Sequence, residues 1–124
     1  MIWKVGTTSW FGDWFATLRD DEQVEIIAKI ELLKVMGPQL SRPHAGPLNG
    51  SKHANMKELR ADTKVSVIRI AFAFDPERSA ILLVGGNKTG VNQKRFYKQL
   101  IAKADELYSL HILKMRSRKK KKGI

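Results

Sequence analysis

The stretch Val65-Ser66-Val67-Ile68-Arg69-Ile70-Ala71-Phe72-Ala73-Phe74 alternates with the two-residue period of a β-strand. Ile68, Ile70, Phe72 and Phe74 share one side, and Val67, Arg69, Ala71 and Ala73 share the other. Strand-like segments flank it at Met56-Lys57-Glu58-Leu59-Arg60 and at Ala80-Ile81-Leu82-Leu83-Val84-Gly85-Gly86-Asn87-Lys88. Asp62-Thr63 and Asp75-Pro76-Glu77-Arg78 supply turn residues between them, which predicts a three-strand antiparallel meander. Cations stand where such a sheet would ordinarily hold apolar or neutral residues. Arg69 points away from the greasier face, Leu59 belongs to the core and so sends Arg60 to the opposite side, and Lys88 lies at the far end of the third segment. A floor bearing Arg60, Arg69 and Lys88 on an open face suits a polyanion.

The rest of the chain is read around that meander. Ile2 to Val5 predict a short opening strand, and Thr7, Thr8 and Ser9 offer N-cap hydroxyls to a helix starting near Trp10. Trp10, Trp14 and Leu18, with Phe11 and Phe15, form a wide apolar stripe at helical spacing. Asp20, Asp21 and Glu22 suit the positive end of a second helix carrying Val24, Ile26, Ile27, Ile30 and Leu33, which Gly37-Pro38 ends. Residues 38 to 55 hold three prolines and two glycines and read as a long loop, of the kind that often touches ligand. After Gly90 a last helix presents Tyr97, Leu100, Ile101, Ala104, Leu107 and Tyr108 on one face, with Lys94, Lys98 and Lys103 among its polar positions. The order is strand, two helices, three antiparallel strands, helix. That is an α+β domain, and 124 residues suffice for one modest core.

Charge bounds the partner. The chain has 23 Lys plus Arg against 12 Asp plus Glu, a surplus that points to nucleic acid or an anionic surface. Lys114, Arg116, Arg118, Lys119, Lys120, Lys121 and Lys122 supply seven of the +11, leaving +4 for everything before them. Residues 1–113 are therefore taken as the folded domain and 114–124 as a flexible basic tail. That tail either grips RNA through counterion release or merely solubilises the chain. The absence of cysteine excludes disulfides, thiol catalysis and thiolate metal sites. No apolar run approaches the roughly 20 residues of a membrane span and no leader pattern opens the chain, so a cytoplasmic protein with no membrane partner is expected.

Other chemistries fare poorly. His44, His53 and His111 show no ligand spacing, which argues against a metal site. Gly85-Gly86-Asn87-Lys88-Thr89-Gly90 lacks the spacing of a nucleotide-binding P-loop. The cationic face remains, beneath a loop that contains Lys52 and His53. It is either a solvated face whose arginine stems cover apolar neighbours or a phosphate-binding floor.

Several segments in order carry a resemblance: Gly50-Ser51-Lys52-His53-Ala54-Asn55-Met56-Lys57-Glu58-Leu59-Arg60, then Ile68 to Pro76, then Leu83-Val84-Gly85-Gly86-Asn87-Lys88-Thr89-Gly90, closed by Arg95-Phe96-Tyr97 and Ala104-Asp105-Glu106-Leu107-Tyr108. Together they resemble the phage-derived branch of the RelE/HigB toxins over residues 3 to about 111. The resemblance implies a RelE-like fold, with a small antiparallel-dominated sheet packed against two N-terminal helices and a C-terminal helix. It also implies a toxin of a type II toxin–antitoxin system: a metal-independent, cofactor-free messenger RNA endonuclease acting on the 70S ribosome and neutralised by a helix-turn-helix antitoxin. In such enzymes a ribose 2′-hydroxyl attacks the adjacent phosphate while cations stabilise the transition state. By resemblance, Arg69 takes the scissile phosphate, Arg60 the same or the neighbouring phosphate, and Lys88 the leaving oxygen. His53 is the candidate general base because arginine stays protonated. Lys52, Lys57, Lys94, Arg95 and Tyr97 are candidate RNA contacts, with Tyr97 either stacking on a base or packing in the core. The alternative function is a nucleic-acid-binding module, for RNA or DNA, without catalysis.

Overall fold

The computed structural model describes residues 2–122 and sets a five-stranded mixed sheet between helices. The elements are β1 (Val5–Thr7), α1 (Ser9–Ala16), α2 (Asp20–Met36), a 3₁₀ turn (Gly37–Gln39), β2 (Ala45–Pro47), β3 (Lys57–Asp62), β4 (Val67–Phe74), β5 (Ala80–Asn87) and α3 (Gln93–Lys122). The sheet order is β1-β5-β4-β3-β2. The β3-β4-β5 meander forms as the alternation predicts, with β2 antiparallel to β3 and β1 parallel to β5. One core packs Phe11, Ile26 and Leu33 of α1 and α2 against Ile68, Ile70 and Phe72. The other packs Leu100, Ala104, Leu107 and Tyr108 of α3 against Ala71, Ala73, Ile81 and Leu83. The two faces read from the alternation of β4 are thus the two core-facing sides of a three-layer arrangement.

Local chemistry explains the helix ends. Thr8 is the N-cap of α1, its Oγ accepting from the Phe11 N–H at 3.0 Å while it donates to the Leu83 carbonyl. Asp20, Asp21 and Glu22 occupy the first turn of α2, where acids oppose the positive end of the helix. Glu22 accepts from the Arg19 N–H at 3.1 Å and from Ser66 Oγ at 2.6 Å, tying α2 to the start of β4. Gly37 ends α2 at φ +57°, and a β-carbon there would lie 2.3 Å from the Trp3 ring, so both backbone and neighbour require glycine.

Three expectations change. The opening strand forms at Val5–Thr7 rather than Ile2–Val5, because its partners are Ala80 to Leu82. The long loop contains a short edge strand, β2, held by pairing with Lys57 to Leu59 rather than by its own Ala-Gly-Pro composition. Residues 114 to 122, set apart in sequence as a tail, continue α3 without a break. Among the described residues, no helix is long and apolar enough to cross a membrane.

A further irregularity positions the site. Ala71 of β4 pairs with Val84 while Phe72 pairs with Leu82, so Leu83 is an extra residue on β5. Before this bulge Leu82 faces α1 and α2 while Ile81 and Leu83 face α3; beyond it Val84 also faces α3 and Gly86 stands directly opposite Arg69. Strict alternation would have sent Gly86 and Lys88 to the face of Leu82. The bulge moves them to the face of Arg69.

Candidate active site

Arg60 and Arg69 are directly opposed across the β3–β4 ladder, an arrangement that like charges disfavour unless an acid lies between them. Glu58, two residues before Arg60 on the same side of β3, is that acid. Its Oε2 accepts from Arg60 Nε at 3.2 Å and Nη2 at 3.0 Å. Its Oε1 accepts from the Tyr97 hydroxyl at 2.8 Å and lies 3.9 Å from Arg69 Nε. Arg69 Nη1 donates to Asp62 Oδ1 at 2.6 Å and to the Ile68 carbonyl at 2.8 Å. Lys88 Nζ lies 3.4 Å from the Tyr97 hydroxyl and 5.2 Å from the centre of its ring.

Burial grades these groups. Glu58 and Arg69 are buried, their side chains 6% and 10% exposed, whereas Asp62 is 50% exposed at the end of β3. Arg69 Nε is buried and has no hydrogen-bond acceptor, so the guanidinium retains an unused donor inside the cluster. Burial, then the neighbouring Arg69 charge, hold the Lys88 ammonium below its ordinary pKa of 10.5. The Tyr97 hydroxyl is pushed above its ordinary 10.0, by burial first and then by Glu58. Three cations against two carboxylates leave one surplus positive charge, the complement of a single phosphodiester.

Packing brings the start of α3 to this cluster. A β-carbon at Gly86 would lie 2.8 Å from the Phe96 ring, and the space left by glycine lets that ring settle opposite Arg69, with Tyr97 beside it. A β-carbon at Gly85 would meet Trp14 at 2.4 Å on the other face. The glycine pair therefore serves helix packing on both sides of β5.

The structure gathers Arg60, Arg69, Lys88 and Tyr97 and corrects one expectation about them. The face is not open: the start of α3 and the cluster's own carboxylates cover Arg69. Lys94 and Arg95 are exposed in the first turn of α3, within one turn of Tyr97. Lys57 goes to the opposite face, with Leu59, and reaches toward the Pro38 carbonyl at 3.4 Å and the Phe74 ring. His53 and Lys52 are also apart. His53 shares a 3.1 Å hydrogen bond with Ser109 and packs edge-on against Tyr108, while the Lys52 N–H donates to Asp105. Ser109 is twelve residues beyond Tyr97 on α3, about 18 Å along the helix axis. Sequence reasoning missed Glu58 and Asp62. The signal for Glu58 was present, since alternation puts Glu58 and Arg60 on one face at the i, i+2 spacing of an ion pair.

The bulge brings Lys88 to the face of Arg69, and its lowered pKa has a measurable consequence. A group that acts while protonated loses its effect as pH rises through its pKa. The alkaline limb of any rate that depends on Lys88 is therefore expected below the ordinary lysine range, and Lys88→Arg should move that limb upward. A single-turnover pH–rate profile of both proteins checks this, and coincident limbs would count against Lys88 as the titrating group.

Among the described residues, no three His, Asp or Glu side chains cluster as metal ligands would. The sequence matches the family described as phage-derived protein Gp49-like over residues 13–109. It is 43% identical over 111 residues to the toxin candidate HigB2 of Mycobacterium tuberculosis (strain ATCC 25618 / H37Rv), covering 84% of this chain but only 55% of that relative. It is 49% identical over 94 residues to the toxin candidate HigB3 of the same organism, covering 75% of this chain and 79% of the relative. The chain thus spans little more than half the length of HigB2. In structure it resembles a free-state mutant of the E. coli toxin RelE, with a TM-score of 0.59 at 10% identity over 83% of this chain and 97% of that one. At that identity the likeness speaks to the fold, which is RelE-like as the sequence suggested.

Proposed function

The chain belongs to the phage-derived Gp49-like family and is a toxin of the RelE/HigB type, and from that premise we propose that it cleaves messenger RNA by internal attack of a ribose 2′-hydroxyl. The observation that supports this reading most directly is the meeting of Arg60, Arg69 and Lys88 on one face around a buried Glu58. In this reading the scissile phosphate displaces Asp62, the exposed carboxylate, from Arg69. Two guanidinium groups then receive the negative charge that develops on the non-bridging oxygens, where planar paired donors are most effective. The 2′-oxygen to phosphorus bond forms and the phosphorus to 5′-oxygen bond breaks. Asp62, freed at the cluster's edge, accepts the hydroxyl proton, and the acidified Lys88 ammonium donates one to the departing 5′-oxygen. His53, some 18 Å away along α3, has no part in that step. Glu58 keeps the opposed arginines in place.

In this reading, by the family resemblance, the substrate is messenger RNA engaged on the ribosome. The partner that restrains the toxin is a cognate helix-turn-helix antitoxin. The closing experiment is end chemistry: purified protein, supplied with messenger RNA and ribosomes, is expected to leave a 2′,3′-cyclic phosphate or its 3′-phosphate product. Products bearing only 3′-hydroxyl ends would overturn attack by the 2′-oxygen.

A further inference from the structure

We infer that the far end of α3 is a second RNA-phosphate contact, held at a fixed distance from the cleavage cluster; this rests on the RNA reading above. Lys114, Arg116, Arg118, Lys119 and Lys120 are all exposed, and among the described residues none of them forms an ion pair. The last acid on the helix is Glu106. The match to the family covers residues 13–109, so these cations lie beyond it.

The helix that carries them is anchored close to their first member. The Tyr108 hydroxyl donates to the Phe74 carbonyl at 3.2 Å, and His111 Nε2 lies 2.8 Å from Asp75 Oδ2. The other oxygen of Asp75 accepts from the Glu77 and Ser79 N–H groups, so the anchor is itself fixed in the β4–β5 turn. Met115 is buried. The cations therefore project from a braced rod.

Geometry sets what they can touch. Arg118 lies 21 residues beyond Tyr97, about 31 Å along the axis at 1.5 Å per residue. No single phosphodiester reaches both the cluster and the cationic end. A stacked strand rising about 3.4 Å per nucleotide needs roughly nine nucleotides to join them. At about 100° per residue, positions 114, 116, 118, 119 and 120 spread over roughly 240° of the helix circumference, leaving the side of Ser117, where the exposed Leu110 and Leu113 lie one to two turns earlier. An amphipathic membrane helix keeps one face apolar, and from residue 116 to 120 there is no apolar side chain to make one. A cationic arc this broad, continuing past the last apolar residue of the helix, suits the irregular phosphate backbone of RNA instead. The contact carries no sequence preference, because it reads charge alone.

The test uses the full chain and a variant with Lys114, Arg116, Arg118, Lys119 and Lys120 all replaced by glutamine, a good helix former. Probes are 2′-O-methyl single-stranded RNAs of 6 and 24 nucleotides, which bind but cannot be cleaved, titrated across salt. Circular dichroism verifies that the helix is retained. On the 24-mer the slope of log affinity against log salt should fall by about 0.7 for each phosphate that the variant no longer neutralises, while the 6-mer should show little difference between the proteins. If the slope falls only on folded RNA or ribosomes, the second contact is to a separate RNA, which also supports the proposal. Equal slopes on every RNA would overturn it, as would a loss confined to phosphatidylserine vesicles. Failure of cleavage is read separately, from the end chemistry of unmodified RNA, and leaves a length-dependent slope standing.

Discussion

Arg69→Lys is expected to slow single-turnover RNA cleavage by about two orders of magnitude, corresponding to roughly 3 kcal/mol less transition-state stabilisation. Arg69 holds Asp62 and the Ile68 carbonyl from one nitrogen and keeps another donor unused beneath the cluster. An ammonium retains the charge but not the planar fork, so RNA affinity should change far less than the rate. Arg69→Ala should lose activity to at least the same extent and should also lower the melting temperature. Sequence alone places this arginine on an open face, where its removal would leave stability unchanged; burial beside Glu58 reverses that expectation. Melting curves, RNA affinity and single-turnover rates for both variants separate the two effects. Cleavage at the wild-type rate by Arg69→Lys would remove this residue from the reaction.

Glu58→Leu is expected to destabilise the fold by about 3 kcal/mol or more, the usual consequence of removing one partner from a buried ion cluster. Arg60 and Arg69 would then oppose each other across the ladder with nothing between them, and the Tyr97 hydroxyl would lose its acceptor. For a domain of this length the melting temperature should fall by on the order of 10 °C. Glu58→Gln, which keeps an acceptor without the charge, should fall between Leu and wild type. Glu58→Leu combined with Arg60→Leu should recover part of the loss, because the pair is replaced by apolar volume. Denaturant unfolding of the four proteins forms the comparison. Equal stability for Glu58→Leu and wild type would mean that the arginines are held by something other than this carboxylate.

Much of this was legible from side-chain periodicity. Alternation placed Arg60 and Arg69 on one face, and the caps at Thr8 and Gly37 followed from local chemistry alone. What escaped depends on long-range pairing. Ala45-Gly46-Pro47 has no strand signal of its own and becomes β2 only because the edge of β3 is available. The position of His53 depends on how its loop docks against Ser109 and Tyr108, which spacing does not encode. Glu58 was within reach, since the same rule that assigned Arg60 also assigns Glu58. The basic run after Leu113 consists largely of good helix formers, so propensity favours the continuation of α3 even where apolar periodicity gives out.

Lys88 teaches a different lesson. Counted along a regular strand, it belongs with Leu82 on the face of α1 and α2, and one additional residue at Leu83 reassigns it. The sheet therefore behaves like a reading frame: everything after the insertion is read on the other side, while everything before it is unchanged. A relative lacking that residue could keep the same strands, helices and cores and still present its terminal lysine to the wrong layer. Within this fold, gain or loss of the cationic cluster can thus turn on a shift of one position in β5 with every cationic side chain left intact. A comparison that counts only whether the lysine is present would overlook the change.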